Sequence, residues 1–348
     1  MIRKAMACLV LAVLLLTAVS ALEISGVTID DLTGVRKQAP AETAQPLTTT
    51  LPDATATPIR PAAQERQSDA ERVTLYFRYH QTDYLGVEER EISVPRDDTV
   101  ELCIVQALIA GPSSAYQELT PVFSPDVRVV STSRSGETVT VTLTRAFLDA
   151  PSDAPDGWES LPYWRSEVML RRRLALQSIV SALTENGRCE RVQILLSPAE
   201  GDIRGERILR AQVYEDEEDA TLTLEPLARD ENAILTPRTV MRAALSMWRA
   251  QSWPTLYVFV TGESGERLPS QTEFIARVSA LQVSLLGFDV GVGSVSLDGS
   301  RATVNVDVRI QRSDGGQSEA QSIPVSLVRE DGNWKLPYDS LLSLMQRQ

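Results

Sequence analysis

The chain has 348 residues, and 43% of them are hydrophobic, so it is long and apolar enough for two domains with separate cores. Lysine and arginine together number 34 against 47 aspartates and glutamates, which gives a net charge of −13 at pH 7. So acidic a chain is repelled by phosphate backbones and by anionic lipid head groups, which argues against nucleic acid as a partner.

The first 21 residues have the pattern of a secretory signal or an N-terminal anchor. Arg3 and Lys4 precede the apolar run Ala5–Ala18, and Val19–Ala21 fits a cleavage site of small residues. Cys8 lies near the start of the apolar run and not after it, which is the wrong place for a lipid-modified cysteine. We therefore expect an exported, lipoprotein-like protein at the extracytoplasmic face of the membrane, in the cell wall or secreted, with membrane contact only through this segment.

Residues 22–70 are rich in Pro, Thr, Ala and Gln and have no apolar periodicity. This composition predicts a disordered tether, because too few large apolar side chains are present to form a core. As a loose coil it would span roughly 40 Å root-mean-square.

The stretch Asp98–Ser113 predicts a buried helix around which we expect the rest of the chain to be organised, with strands on either side of it. Asp98 has the capping position and Glu101 follows at the capping-box spacing, while Gly111 and Pro112 provide the stop. Apolar residues cover most of its surface.

Strand and helix patterns alternate on both sides of this helix in the order β-β-α-β-β-α-β, which predicts an α+β fold with two helices on one face of a mixed sheet. The second helix is predicted over Trp164–Glu185. The predicted strands are Val73–His80, Leu85–Val94, Val127–Thr132, Glu137–Leu143 and Val192–Leu196.

Residues 71–200 resemble a GerMN domain, the sporulation and spore germination module of bacterial envelope proteins. The similar segments, in order, are Val73–Phe77, Ala107–Pro112, Phe123–Ser131, Val139–Leu148, Leu174–Asn186 and Val192–Leu196. The loop Pro151–Pro162 is longer than the family pattern. The resemblance implies protein assembly in spore formation or germination, although such modules also occur in bacteria that form no spores.

Residues 201–235 form a predicted connecting segment, in which Ile208–Tyr214 and Thr221–Leu224 have the composition of edge strands. Between them, Glu215–Asp219 is a run of five acidic residues. The alternating ligands and the glycine of a calcium loop are absent, so we interpret this run as a solvated loop.

Residues 236–348 predict an α+β domain with helices first and an antiparallel sheet after them. Thr236 and Pro237 begin a helix, Ser270–Leu281 is a second helix, and the strands run over Leu285–Leu297, Ala302–Gln311, Ser318–Arg329 and Asn333–Leu336. The order and the final Trp334-Lys335 resemble the nuclear transport factor 2-like fold, and this resemblance implies a cone-shaped domain with a curved sheet.

Catalytic machinery is scarce in this sequence. Beyond residue 21 the only histidine is His80, interpreted as an exposed residue at a strand end, and the only lysines are Lys37 and Lys335. The sequence has too few histidines for a Ser-His or Cys-His hydrolase and too few histidines and cysteines for a zinc site. It also has too few lysines to indicate Schiff-base chemistry. We therefore predict no catalytic residues, no metal site and no cofactor.

Two sets of residues are candidates for binding. Arg171, Arg172 and Arg173 form the densest positive feature, which is either a solvated helix face or a docking patch for an acidic partner or a wall polymer. Trp248, Trp253 and Phe274 could line a pocket in the C-terminal domain, or belong to its core. Cys103 and Cys189 are the cysteines beyond residue 21, and their spacing does not show whether they are bonded.

Three functions are compatible with these patterns. The first is a non-enzymatic, envelope-exposed protein-interaction protein linked to sporulation or germination, with envelope or sporulation proteins as partners and peptidoglycan as a further candidate. The second is an envelope binding protein that holds a small ligand or wall fragment in its C-terminal domain. The third, a wall hydrolase with two carboxylates, is disfavoured because only 5% of the residues are aromatic.

Overall fold

The computed structural model describes residues 68–199, 202, 204–262 and 267–347. These residues belong to one compact unit. The predicted signal, and the predicted tether up to residue 67, lie outside the described residues. Residues 68–70, also assigned to the tether, instead begin the first strand, where their backbone pairs with residues 93–95.

The first sheet has three strands in the order β2-β1-β3. Strand β1 is Ser68–Tyr79, β2 is Leu85–Pro95 and the short β3 is Leu119–Thr120. All three are antiparallel. Strand β1 carries Leu75, Phe77 and Tyr79, which are fully buried, so it lies inside the core.

Helix α1 is Val100–Ala110 and ends at Gly111, whose φ of 90° is in the region that favours glycine. The cap is Thr99 rather than the predicted Asp98, because the Thr99 hydroxyl accepts the hydrogen bond of the Leu102 N–H. As predicted, the helix is deeply embedded, and it contacts β1, β2 and the second sheet.

The second sheet is mixed and has the order β4-β5-β6-β7. Its strands are Val129–Ser135, Thr138–Leu143, Arg191–Leu196 and Glu206–Arg207. Strands β5 and β6 are parallel, and the 24-residue helix α2, Pro162–Glu185, makes the crossover between them. The predicted α+β class is confirmed, with the early strands divided between two sheets.

The connecting segment contains little regular structure. Ile208–Tyr214 was predicted as a strand, but Arg210–Gln212 forms a 3-10 turn and only a single bridge joins Leu209 to Thr223. This correction has a physical reason: the Leu209 N–H is satisfied by the Gln212 side chain, so the chain turns instead of extending.

The C-terminal part contains a five-stranded sheet in the order β8-β12-β11-β10-β9, with helices packed against it. The helices are α3 (Pro237–Arg249), α4 (Trp253–Tyr257), α5 (Gln271–Ala280) and α6 (Tyr338–Met345). The strands are β8 (Val260–Thr261), β9 (Val283–Val295), β10 (Arg301–Arg312), β11 (Gln317–Glu330) and β12 (Asn333–Pro337). The sheet is curved, as predicted, and it is not closed. Its β8–β12 pair is parallel, whereas the predicted sheet is antiparallel throughout. Thr236 caps α3 as predicted.

Buried polar contacts join the N-terminal sheet to the C-terminal one. The Asn333 side chain accepts a hydrogen bond from the Val87 N–H at 2.6 Å and donates one to the Val87 carbonyl at 3.1 Å. It thereby pairs with β2 as a neighbouring strand would. The backbone of Leu85 bonds to Ala233 and Leu235, and the Tyr79 hydroxyl donates to the Val258 carbonyl.

Candidate functional site

A small cavity lies between the loop Pro121–Val127 and helix α2. Its volume is about 150 Å³. The wall has both apolar and polar parts, and three prolines make it stiff. The main wall residues are Pro121, Phe123, Pro125, Phe147, Pro151 and Val168. Asp149, Asp153, Arg171 and Arg172 add charged groups to this wall.

Arg171 is fully occupied by carboxylates of its own chain. Its guanidinium donates to both oxygens of Asp153, at 2.7 and 2.9 Å, and its Nε donates to Glu167 at 2.7 Å. Glu167 also binds the buried Arg78 at 2.5 Å. Burial raises the pKa of Glu167, but its hydrogen bonds with these two arginines outweigh burial and hold the pKa below its usual value. The network therefore ties β1, α2 and the loop Pro151–Pro162 together.

Arg172 differs from its neighbour because its partners carry no charge. Its guanidinium donates to the carbonyls of Gln212, at 2.8 Å, and Leu148, and lies 5.7 Å from the centroid of the Trp158 ring. Its Nε has no hydrogen-bond partner within the described chain. Burial lowers the pKa of this guanidinium, and the charges of Asp149 and Glu159 partly offset that effect.

Arg173 completes the predicted patch and is also engaged inside the molecule. It donates to the Val213 carbonyl at 3.2 Å and lies against the Tyr214 ring. Arg210 contacts the same ring and pairs with Glu217 of the acidic loop at 2.5 Å. All three arginines therefore bind groups of their own chain, and docking of an external partner through them stays a prediction.

The three aromatic candidates do not line one pocket. Trp248 is fully buried and donates its indole N–H to the Val283 carbonyl at 3.2 Å. Phe274 is fully buried between Tyr257 and Tyr338. Only Trp253 lines a groove, of about 420 Å³. The first two are therefore core residues, whereas Trp253 keeps the geometry of a pocket wall.

His80 is half-buried and not exposed at a strand end as predicted. It adopts φ 49°, and its ring packs edge-on against Tyr79 at 4.6 Å between centroids. Burial lowers its pKa, and Lys335 acts in the same direction, while Glu118 opposes them. Lys335 is itself 3.6 Å from Glu118 and 3.9 Å from Glu330.

Other candidate chemistry is sparse in the described part of the chain. No group of three or more His, Cys, Asp or Glu residues is placed there to hold a metal ion. Cys103 and Cys189 are free thiols, and burial raises the pKa of each. Four of the five residues of the acidic loop are exposed, in agreement with a solvated loop. Among the described helices none is both long and apolar enough to cross a membrane.

The sequence analysis missed the cavity next to α2. It is formed by residues far apart in the chain, from Pro121 to Ala175, and three-dimensional proximity of that kind has no local signature. The one available signal was the proline pair Pro121 and Pro125 beside a predicted strand, together with three consecutive arginines. Consecutive helical residues point in different directions, so the three arginines could not form one patch.

Comparisons with known proteins agree with the N-terminal prediction. Residues 74–200 match the Germane family model, described as sporulation and spore germination. No curated protein matches the chain in sequence. The nuclear transport factor 2-like assignment of residues 236–348 has no such support and remains a proposal.

Solved structures give weaker similarities. The tandem GerMN domains of the sporulation protein GerM from Bacillus subtilis align with 16% identity and a TM-score of 0.31, over 49% of this chain and 50% of that chain. The aligned region thus spans half of the GerM structure. A protein described as a lipoprotein from Clostridium perfringens aligns with 17% identity and a TM-score of 0.25, over 50% of this chain and 95% of that chain.

A structure described as a polyketide cyclase from Pseudomonas putida aligns with 17% identity and a TM-score of 0.21, over 32% of this chain and 97% of that chain. These structural alignments have low scores, so the assignment rests on the family match. Residues 74–200, which carry the cavity and the three arginines, match the sporulation and spore germination family, as the sequence resemblance predicted.

Proposed function

We propose that this protein is a non-enzymatic, envelope-exposed interaction protein whose GerMN-like module binds other proteins during sporulation or spore germination. The observation that carries the proposal is the family match over residues 74–200. The sequence of the first 21 residues supports export.

The module has an exposed apolar surface that suits protein contact. Leu161 is exposed, Tyr163 is 71% exposed, and the Tyr163 ring packs edge-on against Trp164 at the start of α2. Clustered exposed apolar side chains of this kind often mark interaction sites. We assign partner contact to this cluster.

The test is capture of the full chain from its native host after cross-linking in cells, in growth and in starvation. The cross-linker should join carboxylates, because the chain has only three lysines, Lys4, Lys37 and Lys335. Two matched variants place a charge on an exposed apolar residue: Tyr163→Asp in the module and Val292→Asp in the C-terminal part, where Val292 is 84% exposed.

We expect envelope or sporulation proteins to be captured in starvation, lost with Tyr163→Asp and kept with Val292→Asp. Loss with Val292→Asp alone would move the contact to the C-terminal part. Capture of no protein in either condition would refute the proposed function.

A second candidate function is supported by the groove next to Trp253. This groove could hold a small ligand or a wall fragment, and its volume of about 420 Å³ is within the range of ligand pockets. A ligand-dependent rise in melting temperature across a panel of soluble wall fragments, abolished by Trp253→Ala, would favour it. The absence of any shift would exclude the fragments tested.

A further inference from the structure

None of the described residues that line the groove next to Trp253 is acidic, although the chain contains 47 aspartates and glutamates. The only charged residue among them is Arg312, and one of its terminal nitrogens donates to the Arg347 carbonyl at 2.5 Å. Uncharged amides and hydroxyls provide the rest of the polar wall. They belong to Gln251, Gln282, Gln311, Ser279, Ser284 and Ser313. A ligand in this groove therefore meets polar groups that are mostly uncharged.

Two of these glutamines hold a backbone conformation that favours glycine. Gln251 follows α3 with φ 54°, and Gln282 follows α5 with φ 51°. Glycine is the usual residue after a helix in this conformation, because a side chain there costs conformational energy. Both glutamines are exposed, and within the described chain neither side chain has a hydrogen-bond partner. Their amide groups therefore add little to the fold and are free to contact a ligand.

The chain segments that carry these side chains are fixed before any ligand arrives. The backbone N–H groups of Gln251, Gln282 and Arg312 are each hydrogen-bonded within their own turn, at 2.9, 3.2 and 3.0 Å. The indole of the buried Trp248 donates to the Val283 carbonyl, which holds the start of β9 against α3. A wall that is already ordered loses little conformational entropy when a ligand binds.

Trp253 gives the groove one aromatic surface. Its side chain is half-buried at the start of α4, and Val278 and Val283 are the apolar residues beside it. A cavity of about 150 Å³ holds one benzene molecule, so a groove of about 420 Å³ has room for about two substituted six-membered rings. A sugar ring has an apolar face of C–H groups, which packs well on an aromatic ring, and a rim of hydroxyls that both donate and accept hydrogen bonds.

We propose that this groove binds a glycan of N-acetylated sugars, with one sugar ring stacked on Trp253 and its polar groups hydrogen-bonded to the glutamine side chains. An acetamido group has one N–H donor and one carbonyl acceptor, which a glutamine amide complements. The inference rests on the second candidate function, since it names the ligand class of the same groove. It concerns the glycan of the wall and not its peptide.

The test is calorimetric titration of the purified full chain with three probes. They are chitotetraose, a tetramer of N-acetylglucosamine; cellotetraose, which has the same linkage without acetamido groups; and the wall stem peptide Ala-γ-D-Glu-Lys-D-Ala-D-Ala. We expect chitotetraose to bind, cellotetraose to bind about 5-fold or more weakly because it lacks the amide hydrogen bonds, and the peptide not to bind. Trp253→Ala should weaken chitotetraose binding about 10-fold or more.

Glycine variants separate a loss of binding from a loss of folding. Gln251→Gly and Gln282→Gly each remove an amide and relieve the positive φ, so each should weaken chitotetraose binding about 3-fold or more without lowering the melting temperature. The matched control is Ser322→Gly, at an exposed residue with φ 53° that does not line the groove, and it should leave binding unchanged.

The outcomes distinguish this inference from the function on which it rests. Binding of the stem peptide that is lost with Trp253→Ala, with no binding of chitotetraose, would overturn the glycan assignment and keep the second candidate function. Binding of none of the three probes would overturn both. Equal affinities for chitotetraose and cellotetraose, or unchanged binding in both glutamine variants, would overturn the assigned amide contacts.

Discussion

Asn333→Ala should be strongly destabilising, because Asn333 joins β12 to β2. Its side chain is fully buried, and it satisfies both the N–H and the carbonyl of Val87, at 2.6 and 3.1 Å. The variant leaves one buried donor and one buried acceptor without partners. Each unsatisfied group costs about 1–3 kcal/mol, so for two groups we expect a loss of about 2–6 kcal/mol in the free energy of unfolding. For a protein of ordinary stability this is a large fraction of the total.

Urea unfolding followed by circular dichroism measures this loss on the full chain. The matched control is Asn305→Ala, which removes the same side chain from an exposed position on β10 and should change stability by less than about 0.5 kcal/mol. If Asn333→Ala lowers stability by no more than the control does, the two halves are not held together by this contact and the reasoning is wrong.

Three further predictions concern other described residues. Burial lowers the pKa of the His80 imidazole, so the unfolded chain takes up a proton at a higher pH than the folded chain does. The free energy of unfolding should therefore decrease as the pH falls below about 6.5. His80→Gln should remove this pH-dependent loss of stability, which is measured by comparing urea midpoints at pH 8 and 5.5. Trp248→Ala should destabilise the protein by about 3–5 kcal/mol, while Trp253→Ala should change thermal stability much less, since only the former residue is fully buried. Thr99→Ala should cost about 1 kcal/mol in chemical denaturation and Asp98→Ala less than about 0.5 kcal/mol, because Thr99 caps α1.

Each of these predictions has a result that contradicts it. A stability profile that is the same with and without His80 would mean that its imidazole keeps its ordinary pKa. Equal losses for Trp248→Ala and Trp253→Ala would place both rings in equivalent surroundings. A larger loss for Asp98→Ala than for Thr99→Ala would restore the cap predicted from the sequence.

Local patterns were enough to predict most elements. The alternation of apolar and polar residues along β10 matches its alternation of buried and exposed side chains, and Thr236 with Pro237 fixed the start of α3. Both signals depend only on neighbours in sequence. These two signals predict the structure correctly because the burial of one strand face and the capping of one helix end do not depend on a particular distant residue.

Long-range contacts account for what could not be predicted. Asp98 and Thr99 are both good caps in isolation, but the Thr99 hydroxyl also contacts that of Thr132 at 3.0 Å, which is 33 residues away. The different environments of Arg171 and Arg172 likewise depend on the loops that meet α2. Helix α6 begins at Tyr338, directly after β12, and the sequence patterns did not predict it.

The position of Lys335 has a practical consequence for studying this protein. It is the only lysine in the described part of the chain, and its side chain is 16% exposed between Glu118 and Glu330. An amine-reactive reagent will therefore modify Lys335 slowly while its contacts with Glu118 and Glu330 are intact. The rate of Lys335 acylation, followed by peptide mass spectrometry, would report how frequently β12 separates from the segment before β3. No engineered probe is needed for this measurement.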